Sequence, residues 1–173
     1  MALASENSIV SNVFHSRKLF AKNGTTLSTD LFLVLIGSIL LAISAQYKVP
    51  LWPVPITLQS LVVMLIGTLY GWRLGSITII AYWTEGIAIG GLFSQMPWFA
   101  NGSGLLYFLS SPSSGFLWGF LPMVFSIGFL SDKLEWRENK LKIFYLLVIG
   151  QLILYIVGLS HAYFIILPNV DWM

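Results

Sequence analysis

Cysteine is absent from the 173 residues, and histidine occurs only at His15 and His161. Disulfides and thiolate metal sites are therefore excluded, and a metal centre of soft ligands has no ligand set to draw on. Charge is equally scarce: 9% of residues are Asp, Glu, Lys or Arg, against 57% hydrophobic, with a mean hydropathy of +0.82. A soluble domain carries about 25% charged residues, so the solvent that suits this chain is hydrocarbon. Also missing are a nucleophile with an adjacent base, a phosphate-binding glycine loop opening a helix, and a pair of catalytic carboxylates. These absences exclude catalysis and ATP hydrolysis by this chain alone; neither a cofactor nor a nucleic-acid partner is expected.

What is present is a set of long apolar runs. Five are long enough to cross a bilayer core of about 30 Å: roughly residues 30–48, 55–72, 74–93, 115–131 and 143–167. Pro50, Pro53 and Pro55 forbid a continuous helix between the first two. Gly71-Trp72-Arg73-Leu74-Gly75 makes a tight turn between the second and third, so those two helices are expected to be antiparallel neighbours. The expected fold is an all-α integral membrane bundle of five transmembrane helices, with residues 1–29 a polar leader and 30–173 a single transmembrane domain. A cleavable signal in the first span, with Ala42 and Ser44 as small residues near a cut, would leave four charge-poor spans unexplained.

The basic residues give an orientation. With the N-terminus cytoplasmic, Arg17, Lys18, Lys22, Arg73, Lys133, Arg137, Lys140 and Lys142 fall inside and only Lys48 falls outside, as cytoplasmic loops require. Trp52, Trp98 and Trp172 then mark the outer interface and Trp72 and Trp136 the inner one.

Glu85 is the only acidic residue between Asp30 and Asp132, and it lies inside the third span. Holding a charge there costs roughly 3 kcal/mol, so it is expected to face protein or a watery cavity. Tyr82 shares its helical face. Gln59 opens the second span, where its amide either reads a polar ligand or bonds the free N–H groups of the first turn. Gln151, Tyr155, Gly158 and His161 share a face of the last span; His161 reads as a packing histidine. In the first span, Ser38 and Ala42 form a small-xxx-small pair that permits close helix approach.

Residues 94–114, between the third and fourth spans, contain no ionisable group except Tyr107 but many breakers and aromatics. Leu105 to Leu109 is too short to span, which makes this a loop dipping into the protein at membrane depth. Asn101-Gly102-Ser103-Gly104 within it can offer backbone N–H groups and an amide to a ligand.

The ordered set Pro53-Val54-Pro55-Ile56-Thr57-Leu58-Gln59, Gly71-Trp72-Arg73-Leu74-Gly75, Glu85-Gly86, Phe99-Ala100-Asn101-Gly102-Ser103-Gly104 and Pro112-Ser113-Ser114-Gly115-Phe116 resembles the biotin-specific substrate-binding (S) components of energy-coupling factor (ECF) transporters. The resemblance implies a small membrane protein, normally of six helices, that captures biotin from outside. It also implies a transmembrane coupling subunit and two ATPase subunits as partners, with Ser38 and Ala42 as the docking surface, in the lipid of a bacterial inner membrane. Two motifs depart from the family pattern: Asn101 stands where a glycine is usual, and Ser113-Ser114 where Thr-Gly is usual. The family's sixth helix opens on a motif whose aspartate and lysine hold biotin, and this sequence reaches Met173 without it, leaving open a truncated, defective binder.

Biotin combines a ureido ring, an apolar bicycle and a carboxylate tail, so its pocket needs an amide or carboxylate, aromatic walls, and a cation or N–H cluster. Asn101, Gln59 and Glu85 suit the ring; Trp98, Phe99, Tyr82 and Tyr107 suit the walls. Lys48 or the backbone of Gly102, Ser103 and Gly104 suits the tail. An S component for another vitamin, or a membrane assembly protein without a ligand, remains the alternative.

Overall fold

The computed structural model describes residues 27–50, 54–92, 97–133 and 140–166. The leader before Leu27, Trp52 and Pro53, residues 94–96 of the dipping segment, Trp136 and Arg137, and residues 167–173 lie outside them. In chain order the elements are α1 (Leu27–Gln46), β1 (Lys48–Val49), β2 (Ile56–Thr57), α2 (Gln59–Leu92), α3 (Gly104–Ser110), α4 (Ser114–Lys133) and α5 (Lys140–Ile166). Residues up to Leu33 and those from Val34 onward form separate compact units. Of the first, the described part is the opening of α1.

α1, α2, α4 and α5 are each long and apolar enough to cross a membrane. The sequence predicts five crossings because it counts α2 twice, and the geometry of α2 explains why. At Gly71 the backbone adopts φ 75°, ψ −177°, a region essentially reserved for glycine. On one side lies an arm of residues 59–70, rising about 18 Å, and on the other an arm of residues 72–92, rising about 30 Å. In a straight helix, positions 59 and 82 would stand about 35 Å apart. Instead Gln59 Nε2 donates to Tyr82 Oη at 2.8 Å, so the chain has folded back on itself. A β-carbon on Gly75 would likewise lie 3.5 Å from Ile66 Cγ2. The turn read from Gly71 to Gly75 is thus an antiparallel helical hairpin.

The first arm is shorter than the predicted span because Ile56 and Thr57 are drawn into a two-stranded antiparallel ribbon, Lys48 opposite Thr57 and Val49 opposite Ile56. The prolines between them keep helix from starting before Gln59. At the other end, helix begins at Leu27, three residues ahead of the predicted span, with Asp30 in its first turn where a carboxylate complements the helix dipole.

Close helix approach is written in small residues. A β-carbon on Gly128 would meet the backbone of Trp72 at 2.2 Å, and one on Gly67 would sit 3.0 Å from Ile127, so α4 lies directly against both arms of α2. Gly150 and Gly158 seat α5 on α4 in the same way, against Ile127 and Phe116. Leu41, Val63, Ile79, Met123, Val124 and Ile127 fill the interior with little or no exposure. The outward faces carry Leu65, Ile80, Phe129, Leu152 and Phe164, all exposed. Such a surface would be an aggregation hazard in water and matches hydrocarbon.

Candidate ligand-binding site

Residues 98–104, between α2 and α4, pack into the protein rather than looping into solvent. Phe99 is fully buried, stacked on Tyr107 at 5.9 Å between centroids and edge-on to Tyr82 at 5.4 Å. A β-carbon on Gly86 would lie 2.2 Å from the Phe99 ring, and one on Gly90 2.0 Å from the Gly104 nitrogen. Those two glycines of α2 are therefore the floor on which the segment rests. Gly104 has φ 89°, which lets the chain turn sharply into α3. Phe99 N donates to Gly102 O at 2.8 Å, closing the turn that carries Asn101. Ser103 precedes α3 in extended backbone, without a side-chain cap bond.

The ribbon end of α1 is tied to this segment. Gln46 Nε2 donates to Pro97 O at 2.9 Å. Lys48 Nζ donates to Ala100 O and, at 2.5 Å, to Asn101 Oδ1. The tie brings together residues 53 positions apart at the same end of the bundle.

Beneath it lies a cavity of about 260 Å³, near the lower limit of about 300 Å³ for small-molecule pockets. The ribbon and first arm of α2 contribute Thr57, Gln59 and Ser60, and the inserted segment contributes Phe99, Ala100 and Tyr107. Ser113, Phe116 and Phe120 come from the start of α4, and Gln151, Leu154 and Tyr155 from α5. The described lining contains no carboxylate, Lys, Arg or His. It is an apolar, aromatic chamber with amide and hydroxyl groups as its polar features, suited to hold a neutral polar ring between aromatic walls.

Of the residues singled out in the sequence, Gln59, Phe99 and Tyr107 line this cavity. Tyr82 stands behind Gln59, fully buried; its hydroxyl accepts from the Gln59 amide and donates to Trp98 O at 3.2 Å. Trp98 is half-buried beside it. Gly102 packs against the Tyr107 ring, and Ser103 leads into α3; neither lines the chamber. Lys48 and Asn101 are exposed and bonded to each other outside the lining.

Glu85 lies away from the cavity. Ser38 Oγ, fully buried on α1, donates to Glu85 Oε1 at 2.9 Å, so the carboxyl joins α1 to α2 instead of facing the ligand space. Ser38 and Ala42, read from the sequence as a docking strip, are turned inward at 0% and 8% exposure. The neighbouring Gly37 shows why: a β-carbon there would meet Thr78 at 2.6 Å, so the strip is occupied by α2. His161 packs edge-on to Trp118 at 4.4 Å and does not line the cavity.

Sequence reading placed Gln151 and Tyr155 on one helical face without assigning them to the site. Their signal was available as polar groups on an apolar span, but their direction depends on how α5 seats on α4. Ser113 and Thr57 carried no such signal, because hydroxyls are frequent at helix starts and turns.

Comparison with known proteins bears on the fold and the family. The fold is similar to that in the crystal structure of the S-component for biotin from an ECF-type ABC transporter, with a TM-score of 0.69, 23% identity, and coverage of 82% of this chain and 76% of that one. Over 142 residues the chain is 35% identical to a probable biotin transporter BioY of Lysinibacillus sphaericus, covering 82% of this chain and 67% of that protein. It is 29% identical to the probable biotin transporter BioY of Rickettsia prowazekii, covering 88% and 75%, and 36% identical to the biotin transporter BioY of Thermotoga maritima, covering 56% and 53%. The BioY family profile matches residues 15–173. With four membrane-length helices among the described residues and these relatives, the chain is a multi-pass membrane protein, and it belongs to the BioY family.

Proposed function

We propose that this chain takes up biotin: it binds the vitamin from the outer face and delivers it across a bacterial inner membrane as the S component of an ECF-type transporter. The observation that carries this reading is the half-open aromatic cavity with an amide at Gln59, in a chain of the BioY family. Phe99 and Tyr107 serve as walls for the bicycle, and Gln59, oriented by Tyr82, serves the ring edge. Trp98, Gly102 and Ser103 shape the segment that covers the site. Lys48 and Asn101, paired with each other outside the lining, meet the carboxylate tail on this reading. The chemistry is binding and release rather than bond-making, so energy for inward release comes from a coupling subunit and two ATPases. Ser38 and Ala42 are covered by α2, so that subunit meets the exposed α1 residues beside them, such as Leu35 and Ile39.

The cytoplasmic N-terminus is supported by the positions of the cations. Gly128 near the end of α4 abuts the Gly71 turn, which puts Arg73 and Lys133 at one end of the bundle. Lys48 lies at the other, with the inserted segment.

Purified full-length chain in detergent or nanodiscs is expected to bind one biotin per chain, with thiamine and riboflavin failing to compete. Absence of saturable biotin binding overturns the reading; competition by another vitamin reassigns the substrate.

A further inference from the structure

We propose that Gln151 on α5 reads the ring of the bound molecule, its side-chain oxygen accepting a hydrogen bond from a ring N–H. This rests on the reading of the cavity as the biotin site and adds to it a residue that fixes ring chemistry.

Gln151 lines the cavity, and its Oε1 is buried without a hydrogen-bond partner. Buried side-chain oxygens normally have partners, so a cavity-lining residue whose amide oxygen is buried and unpaired has an acceptor lacking its donor, within one turn of the amide plane from the cavity. The other amide on the wall is already half engaged, with one N–H and one lone pair left for a ligand. Gln59 Nε2 is given to Tyr82 Oη, and Gln59 Oε1 receives Thr57 Oγ1 at 3.4 Å. Tyr107 Oη pairs with Ser113 Oγ at 3.3 Å.

Gln151 is held in that direction by the seating of its helix. On either side of it, β-carbons on Gly150 and Gly158 would meet Ile127 Cδ1 at 2.4 Å and Phe116 Cδ1 at 2.5 Å. Leu154, one turn on, lies against Gly119, where an added β-carbon would approach its Cδ1 to 2.9 Å. α5 therefore cannot rotate about its axis without losing these contacts, and the face bearing Gln151, Leu154 and Tyr155 stays turned to the cavity. A cyclic urea offers two N–H donors in one plane. A site built with a fixed acceptor discriminates for such a ring and against one lacking the donor.

Full-length chain and two variants are titrated with biotin and with 2-iminobiotin, in which a cyclic guanidinium replaces the urea, and their ligand-free melting is recorded. Gln151→Leu is expected to bind biotin at least about tenfold more weakly while melting no lower than the parent, since an unpaired buried oxygen has been removed. Gln151→Glu is expected to raise the ratio of iminobiotin to biotin affinity by about tenfold or more, because a carboxylate pairs with the guanidinium. A packing role predicts no such exchange of preference. Biotin binding by Gln151→Leu within about twofold of the parent, or an unchanged ratio in Gln151→Glu, overturns the inference while leaving biotin as ligand. Where Gln151→Leu does not fold, the ratio in Gln151→Glu decides. Failure of the parent chain to bind biotin defeats the inference together with the functional reading beneath it.

Discussion

Tyr82 is the residue through which the hairpin and the inserted segment hold each other. Its hydroxyl is shared between Gln59 on one arm of α2 and the carbonyl of Trp98. Tyr82→Phe takes the acceptor from the buried Gln59 Nε2, a loss of about 1–3 kcal/mol, and is expected to lower the melting temperature in detergent and weaken biotin binding together. At the rim the effects are smaller. Lys48 and Asn101 are exposed, so Lys48→Ala and Asn101→Ala are each expected to weaken biotin capture only a few-fold, read by equilibrium binding at two salt concentrations. Unchanged affinity in both variants would remove the rim from the account of the carboxylate tail. Glu85 belongs to a different contact: Glu85→Gln keeps an acceptor for Ser38 and is expected to leave biotin affinity near the parent value, whereas Glu85→Leu loosens α1 and lowers the melting temperature.

At the scale of elements, two glycine contacts decide the architecture. Gly71 permits α2 to double back, and a side chain in its conformation costs about 1–3 kcal/mol, so Gly71→Ala is expected to lower thermal stability by that amount without touching the cavity. Gly86 and Gly90 admit the segment that covers the site. Gly90→Val drives a side chain into the Gly104 backbone and is expected to expel that segment, giving faster proteolysis between Pro97 and Ser111 and loss of biotin binding. Proteolysis at the parent rate would show that the segment has another anchor. The glycine turn at Gly71 was visible in the sequence; that Gly86 and Gly90 face a ring and a backbone from another part of the chain was not.

For the whole molecule, the testable consequence is polarity. Lys48 and Arg73 lie at opposite ends of the bundle, so a cysteine at position 48 is expected to react with an impermeant thiol reagent on intact cells, and one at position 73 only after permeabilisation. The reverse pattern would invert the proposed direction of capture. The distribution of exposed side chains shows why this polarity is decided by charge: the flanks between the two ends carry large apolar side chains on every long helix and say nothing about which end is which.

Much of this was legible in one dimension. Apolar runs of bilayer length, the hairpin at Gly71, the helix break at the prolines and the burial of an uncharged segment follow from composition and from the local rules for glycine and proline, which act between residues close in sequence. The shared face of Gln151 and Tyr155 was legible for the same reason. What the linear order left open was the direction of each face. Glu85 and Ser38, 47 positions apart, pair with one another; Asn101 turns outward to Lys48; Ser38 and Ala42 face α2. Those choices depend on helix-to-helix contacts measured in tenths of an ångström, and only the packed chain supplies them.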